Sequence, residues 1–155
     1  METKMREAVA RAMTWGARHG KDSAGYQIDL CEVAVMIAEA VPLAGEFATD
    51  DECEGRGALV REVVDALGVG GGRAWWTVVA EARPGETVPP FGGVWAHSRE
   101  EALLECFIWR PELRSRHIAQ TVVELGEPPI YNGLRRAAER EARRAELDST
   151  AVTLW

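Results

Sequence analysis

The sequence predicts an α+β fold: an N-terminal three-helix block packed on a small β-β-α-β sheet unit, with a peripheral helix at the C-terminus. Apolar residues recur every three to four positions through residues 1–67, and this period changes to two after the glycine-rich segment GVGGG. A strongly apolar helical segment and a further β-branched run follow. We expect residues 1–155 to form one domain with a helical subregion (1–67), a β-β-α-β subregion (73–126) and a C-terminal helix and tail (127–155).

Three helices are predicted in the N-terminal subregion. The first carries a single apolar stripe, and Gly20 is expected to end it. The second, from about Tyr26 to Val41, is apolar around most of its surface and ends before Pro42. Thr49 and Glu52 have the spacing of a capping box at the start of the third helix. Because the second helix has little polar surface, we expect other elements to cover it on most sides.

The alternating pattern of Ala74–Arg83 predicts a strand with one dry face and one mixed face. The dry face holds Trp76, Val78, Ala80 and Ala82, and the mixed face holds Trp75, Thr77, Val79, Glu81 and Arg83. After the turn sequence PGETVPP, Gly92–His97 is expected to return as a second strand, and His117–Leu125 forms a third. We place the third strand beside the first, with the first antiparallel to both neighbours.

A helix is predicted between the second and third strands, at Arg99–Trp109, opened by a capping box of Ser98 and Glu101. Apolar side chains surround it, and only Glu101 and Glu105 mark a narrow polar side. A small sheet covers one side of a helix, so we expect the N-terminal helices, especially the second, to cover the rest. A partner chain that supplies this cover is the alternative. The last helix is predicted at about Tyr131–Leu147.

Composition restricts the classes of partner and the compartment. The chain carries 25 acidic and 18 basic residues, and its formal net charge of -7 argues against general binding to a phosphate backbone. The apolar run Val33–Ala38 is far shorter than the roughly 20 residues of a membrane span. An odd number of cysteines without a CxxC pair, and no visible secretory signal, indicate the cytoplasm. All basic residues except Lys4 and Lys21 are arginine, which we interpret as the codon usage of a GC-rich bacterial or phage genome.

Two patterns resemble ligand-binding loops but fail on their spacing. The glycine run at 68–72 follows a helix and precedes a strand, the reverse of a dinucleotide-binding loop, and it has no Gly-Lys-Ser/Thr. The acidic stretch at 50–55 matches part of a calcium loop, but Arg61 occupies the position that requires a bidentate glutamate. We interpret the first as a linker or helix cap and the second as acidic residues favoured at a helix N-terminus.

The cysteines and histidines do not predict a catalytic or metal site. Cys106 could act as a nucleophile with His97 or His117, but it lies on the apolar arc of its helix, where a buried cysteine behaves as a small hydrophobe. The three cysteines and three histidines also lack the spacing of ligand pairs. The sequence therefore predicts no catalytic residue, no metal and no cofactor.

Six tryptophans are the most unusual feature of the composition. Each can bury ~150 to 250 Å², so most of them belong to a core or an interface. Trp75 lies on the mixed strand face with Val79, and Trp155 ends an apolar tail, which makes both hard to cover within one chain. We therefore predict Trp75, Val79 and Trp155 as partner-binding residues. In the alternative arrangement, Trp75 lies under the helical block and Trp155 folds back onto the surface.

The sequence thus favours a non-catalytic, intracellular protein–protein interaction or accessory protein, bound to another protein or to a second copy of itself. The alternative function is a small enzyme or ligand-binding domain, with a pocket between sheet and helices lined by Trp95, His97 and His117. A third possible function is nucleic-acid binding, which would use Arg110, Arg114, Arg116 and His117 together with the arginines of the last helix. In the last helix, acidic residues alternate with the arginines, which is usual for a solvated helix face. No aromatic residues lie among these arginines to stack on bases, so the sequence argues against this function.

Overall fold

The computed structural model describes residues 1–85, 91–124 and 144–146. The helices are α1 (Thr3–His19), α2 (Ala24–Ala40), α3 (Asp50–Leu67) and α4 (Arg99–Trp109), and the strands are β1 (Ala74–Ala80), β2 (Phe91–Ala96) and β3 (Ile118–Glu124). A 3₁₀ helix, Pro111–Ser115, lies between α4 and β3. This order confirms the α+β class. Residues 144–146 are helical, and the rest of the predicted C-terminal helix lies outside the described residues.

Residues with strong local preferences set the ends of α1 and α3 as predicted. α1 ends at Gly20, whose φ of 86° lies in the region that favours glycine. The Oγ1 atom of Thr49 accepts the backbone N–H of Glu52 at 3.2 Å, and the Glu52 carboxylate accepts the N–H of Thr49 at 2.8 Å. The predicted capping box is therefore confirmed.

Two other helix starts differ in detail from the prediction. α2 begins two residues earlier than expected because the Ser23 side chain caps it, accepting the N–H of Tyr26 at 3.4 Å. At α4, Ser98 accepts the N–H of Glu101 at 3.1 Å, as predicted. The Glu101 carboxylate, however, accepts the N–H of His97 at 2.7 Å, one residue before the expected partner. No helix in the described part of the chain is long and apolar enough to cross a membrane.

The strands pair in the order β2-β1-β3, with β1 antiparallel to both neighbours, which confirms the predicted arrangement. β1 is shorter than predicted and ends at Ala80, because the chain turns at Gly85 with a φ of 77°. Ala82, which we predicted on the dry face, lies beyond the strand and is exposed. The pairing of β1 with β2 shifts at Gly93, whose φ of 80° is typical of a β-bulge.

One face of the sheet, named the inner face, packs against α4. Its buried side chains are Val78, Ala80, Val94, Ala96 and Ile118. Trp76 lies beside them and is half-buried, and its Nε1 donates to the backbone carbonyl of Ala96 at 3.1 Å. The alternation of residues in β1 therefore predicted the dry face correctly for the residues that belong to the strand.

Helix α4 lies at the centre of the fold, in contact with α2, α3, β1 and β2. Its buried apolar side chains are Ala102, Leu103, Leu104, Cys106, Phe107 and Ile108. These belong to one cluster of buried residues that also includes side chains from α1, α2, α3 and the sheet. The predicted cover of this helix by the N-terminal helices is present in the structure.

The polar side of α4 is more buried than the sequence pattern indicates. Glu101 and Glu105 are half-buried, and Glu100 is almost fully buried. The Tyr26 hydroxyl donates to Oε1 of Glu100 at 3.0 Å, and the Lys21 ammonium lies 3.4 Å from the same atom. A buried carboxylate needs such partners, since an unpaired charge is costly in a dry interior. Tyr26 of α2 and Lys21 of the connection before it thereby attach this part of the chain to the start of α4.

A second polar contact attaches α2 to the sheet. The buried Gln27 side chain donates through Nε2 to the carbonyl of Ile118 at 3.2 Å and accepts the N–H of Ile118 at 2.9 Å. β3 is an edge strand among the described strands. The amide of Gln27 therefore supplies the hydrogen bonds that a neighbouring strand would otherwise provide.

Arg56 of α3 closes the end of α2 and packs on α4. Its Nε donates to the carbonyl of Val41 at 2.9 Å, and its guanidinium carbon lies 4.7 Å from the centre of the Trp109 ring. Carbonyls at a helix C-terminus lack partners within the helix, and a cation satisfies them well. The stacked guanidinium adds a cation–π contact between α3 and α4.

Candidate functional site

The opposite face of the sheet carries a cross-strand pair of tryptophans, one of them exposed, and we name it the outer face. It is defined by Trp75, Thr77 and Val79 of β1, Trp95 of β2 and Val122 of β3, as the strand pairing places them. Trp75 and Trp95 are cross-strand partners whose ring centroids lie 4.9 Å apart at an interplanar angle of 48°. Trp95 is 46% exposed and Val122 is 40% exposed. Trp75 and Val79 are half-buried.

The structure brings together two of the three residues predicted to bind a partner. Trp75 and Val79 lie on the outer face, and Trp155 lies outside the described residues. Trp95, which sequence reasoning assigned to a pocket, instead pairs with Trp75. The alternating pattern of β2 indicates which of its residues share a face. The contact of Trp95 with Trp75 becomes known only once the two strands are aligned.

Other exposed apolar side chains in the described residues stand apart from the outer face. Phe47, in the loop before α3, is 81% exposed, and Ile28 projects from α2. Trp15 of α1 stacks on His19 with centroids 4.7 Å apart and lies over Gly25 of α2, so its ring also packs the two helices together. Single exposed apolar residues are ordinary on a protein surface, whereas a cross-strand tryptophan pair is not.

His97 is held by hydrogen bonds on both sides of its ring. Its Nδ1 lies 3.0 Å from Oε2 of Glu101, and Nε of Arg73 donates to its Nε2 at 3.3 Å. These partners place the proton on Nδ1 and the lone pair on Nε2. The ring borders a depression of about 220 Å³ that Arg61 and Asp65 also line.

The structure does not bring His97, His117 and Trp95 into one pocket. His117 borders a separate depression of about 240 Å³, next to α2 and the 3₁₀ helix. The two histidines lie near opposite ends of β1, because Ala96 pairs with Ala74 at its start and the His117 carbonyl accepts the N–H of Glu81 just beyond its end. Trp95 projects from the outer face of the sheet, because neighbouring positions of a strand alternate between faces.

The cysteines differ strongly in their surroundings. Cys106 is buried, as its position on the apolar arc of α4 predicts, and burial raises the pKa of its thiol to about 12. Such a thiol is almost entirely protonated at neutral pH and is a poor nucleophile. Cys31 is half-buried and Cys53 is exposed. Within residues 1–85, 91–124 and 144–146, no group of three or more His, Cys, Asp or Glu side chains could hold a metal ion.

Glu105→Gln is expected to raise the free energy of unfolding at neutral pH and to lose this advantage in acid. Burial raises the pKa of the Glu105 carboxyl above 4.5 and the nearby charge of Glu101 adds to this, whereas Trp109 and Arg61 oppose it. The folded state therefore binds this proton more tightly than the unfolded state. The carboxylate lowers stability above its folded-state pKa and has no such effect below its unfolded-state value. A glutamine carbonyl can still accept the Trp109 Nε1–H, which lies 2.8 Å from Oε2 of Glu105.

Urea unfolding of both proteins between about pH 4 and about pH 8 checks this expectation. Glu39→Gln, at an exposed position of α2, is the control. A difference between Glu105→Gln and the parent protein that is the same at every pH would contradict the role assigned to the buried charge.

No protein-family model, curated protein or solved structure matches this chain. Its function is therefore argued from the arrangement of side chains described above.

Proposed function

We propose that this chain is a non-catalytic, intracellular protein–protein interaction protein, and that the outer face is its binding surface. The observation that carries the proposal is the cross-strand pair of Trp75 and Trp95, with Trp95 46% exposed. A tryptophan held by a neighbouring ring loses little conformational freedom when it binds. Tryptophan is also among the residues most enriched in the energetically dominant part of protein interfaces.

The chemistry of the surface and of the whole chain indicates the kind of partner. Trp95 and Val122 present apolar surface on two different strands, so the partner supplies an apolar centre. The chain has a net charge of -7, so two copies repel each other and a basic surface is attracted. We therefore propose a different protein, with an apolar patch surrounded by basic residues, rather than a second copy.

Two features of the described residues support a non-catalytic role. The lone pair of His97 Nε2 faces Arg73, and no cysteine, serine or threonine is among the side chains bonded to the ring. The thiol of Cys106 is enclosed in the core. A nucleophile and its base must lie within hydrogen-bonding distance, and neither residue has such an arrangement.

Trp95→Ala is expected to weaken partner binding by more than about tenfold, because truncation of a central interface tryptophan commonly costs about 2 kcal/mol or more. A photo-crosslinking amino acid at position 122, in the cells that produce the chain, captures the partner, which mass spectrometry then identifies. The purified partner is titrated against the parent protein and against Trp95→Ala. Phe47→Ala, which removes an even more exposed aromatic side chain elsewhere, is the matched control.

The proposal predicts a crosslink from position 122 that Trp95→Ala suppresses and Phe47→Ala does not. A crosslink between two copies of the chain would contradict the proposed partner. Equal affinities of Trp95→Ala and the parent protein, or the absence of any specific crosslink, would contradict the use of the outer face.

A further inference from the structure

A depression next to α2, distinct from the outer face, is lined by both apolar and basic side chains. Its volume is about 240 Å³, and we name it the basic pocket. Its apolar side chains are Ile28, Cys31 and Phe107, and its basic and histidine side chains are Arg114, Arg116 and His117. The pocket thus combines a nonpolar surface with a group of side chains that attract anions.

The basic pocket and the second depression differ in the acidic side chains among the described residues that line them. No Asp or Glu side chain is among the described residues that line the basic pocket. At the other depression, Arg61 and His97 are accompanied by Asp65 and Glu101. In a chain with a net charge of -7, a group of basic residues without a lining carboxylate is unusual. Basic side chains grouped in this way raise the local electrostatic potential and attract an anion.

The backbone that carries the basic side chains is fixed by contacts to two helices. Nε of Arg114 donates to the carbonyl of Phe107 at 2.7 Å, near the end of α4. The Cys31 thiol donates to the carbonyl of Arg114 at 3.6 Å, and Gln27 bonds both backbone groups of Ile118. These contacts come from the protein itself, so ligand binding does not have to order this segment.

The two terminal nitrogens of Arg114 are suited to binding an oxyanion. Its Nε is occupied by the Phe107 carbonyl, and in the described part of the chain no carboxylate forms an ion pair with its guanidinium. The two terminal nitrogens of a guanidinium can bind two oxygens of one carboxylate or phosphate group. Arg116 and His117 border the same space.

We propose that the basic pocket binds a small organic anion. Arg114, Arg116 and His117 hold its carboxylate or phosphate group, and its nonpolar part lies against Ile28 and Cys31. The volume of about 240 Å³ is below the roughly 300–1,000 Å³ of sites for drug-sized ligands. The ligand is therefore a molecule about the size of one substituted ring, or one end of a longer molecule. This inference does not depend on the proposed function of the outer face.

The test uses the full chain with benzoate and phenyl phosphate as probes, and benzyl alcohol as their uncharged analogue. Titrations followed by the backbone amide signals of the protein give each dissociation constant. We expect both anions to shift signals in 114–118 and in α2, and the better of them to bind at least about tenfold more tightly than benzyl alcohol. The tighter of the two anions identifies the ligand group as carboxylate or phosphate.

Arg116→Gln is expected to weaken binding of the better anion by about tenfold, because it removes a positive charge that borders the pocket. Arg110→Gln is the matched control, since Arg110 lies outside the pocket and pairs with Glu112. Circular dichroism of both variants shows whether the fold is intact. If Arg116→Gln does not fold, His117→Gln replaces it with the same expected direction.

Cysteine alkylation locates the ligand independently. Cys31 lines the basic pocket, and Cys53 is exposed on α3. A bound anion is expected to slow alkylation of Cys31 severalfold and to leave Cys53 unchanged. Equal binding of benzyl alcohol, equal effects of Arg116→Gln and Arg110→Gln, or no signal shifts with either anion at millimolar concentration would overturn the proposal.

Discussion

Phe107→Ala is expected to lower the free energy of unfolding by about 3–5 kcal/mol, the range for truncation of a buried phenylalanine. The side chain is 1% exposed and lies on α4, which contacts α2, α3 and two strands. The cavity left by the ring would therefore weaken contacts on the helical side and on the sheet side together. Denaturant unfolding followed by far-ultraviolet circular dichroism measures the loss.

The control for this change is Phe47→Ala, because Phe47 is 81% exposed. We expect it to alter stability by less than about 0.5 kcal/mol. Tryptophan fluorescence should follow the same transition as circular dichroism in the parent protein. If the helical signal and the fluorescence change at separate denaturant concentrations, α4 does not join the N-terminal helices and the sheet into one cooperative unit.

Gln27→Leu is expected to lower the free energy of unfolding by about 2–4 kcal/mol. Leucine occupies a similar volume but offers no hydrogen bond, so the N–H and the carbonyl of Ile118 both lose the partner seen in the structure. A buried backbone group without a partner costs about 1–3 kcal/mol. Thermal and urea unfolding of the variant measure the loss.

Hydrogen exchange of the Ile118 amide gives a local readout for the same variant. We expect this amide to exchange faster in Gln27→Leu, because the contact holds the first residue of β3. Glu39→Leu places the same side chain at an exposed position of α2, and we expect a change below about 0.5 kcal/mol. Similar stability of Gln27→Leu and Glu39→Leu would show that the amide contact contributes little.

The contact of Gln27 with Ile118 and the contact of Tyr26 with Glu100 were not predicted by the sequence pattern. Tyr26 and Glu100 are 74 positions apart, and Gln27 and Ile118 are 91 positions apart. In the sequence, Gln27 is one of a few polar residues in an otherwise apolar helix, and Glu100 is one of two acidic residues at a helix start. Neither pattern predicts which distant group the residue contacts.

The candidate site also combines features that the sequence predicted with features that depend on distant contacts. Alternation along β1 placed Trp75 and Val79 together, because neighbouring positions of a strand point to opposite faces whatever the strand packs against. The partner of Trp75 across the sheet is Trp95, and this depends on the pairing of two strands, including the shift at Gly93. The basic pocket depends on α2 lying beside residues 114–117, so sequence reasoning grouped His117 with the wrong neighbours in space.

By itself, the sequence determined the class of the fold, the order of its described elements, and helix ends such as Gly20 and the capping box of Thr49. These features follow from interactions within a few residues: hydrogen bonds along a helix, side-chain caps, and the two periods of apolar residues. Only the tertiary structure decided which tryptophans meet and which polar groups are buried together. Those outcomes depend on contacts between distant segments, and many sequences with the same local pattern could pack in other ways.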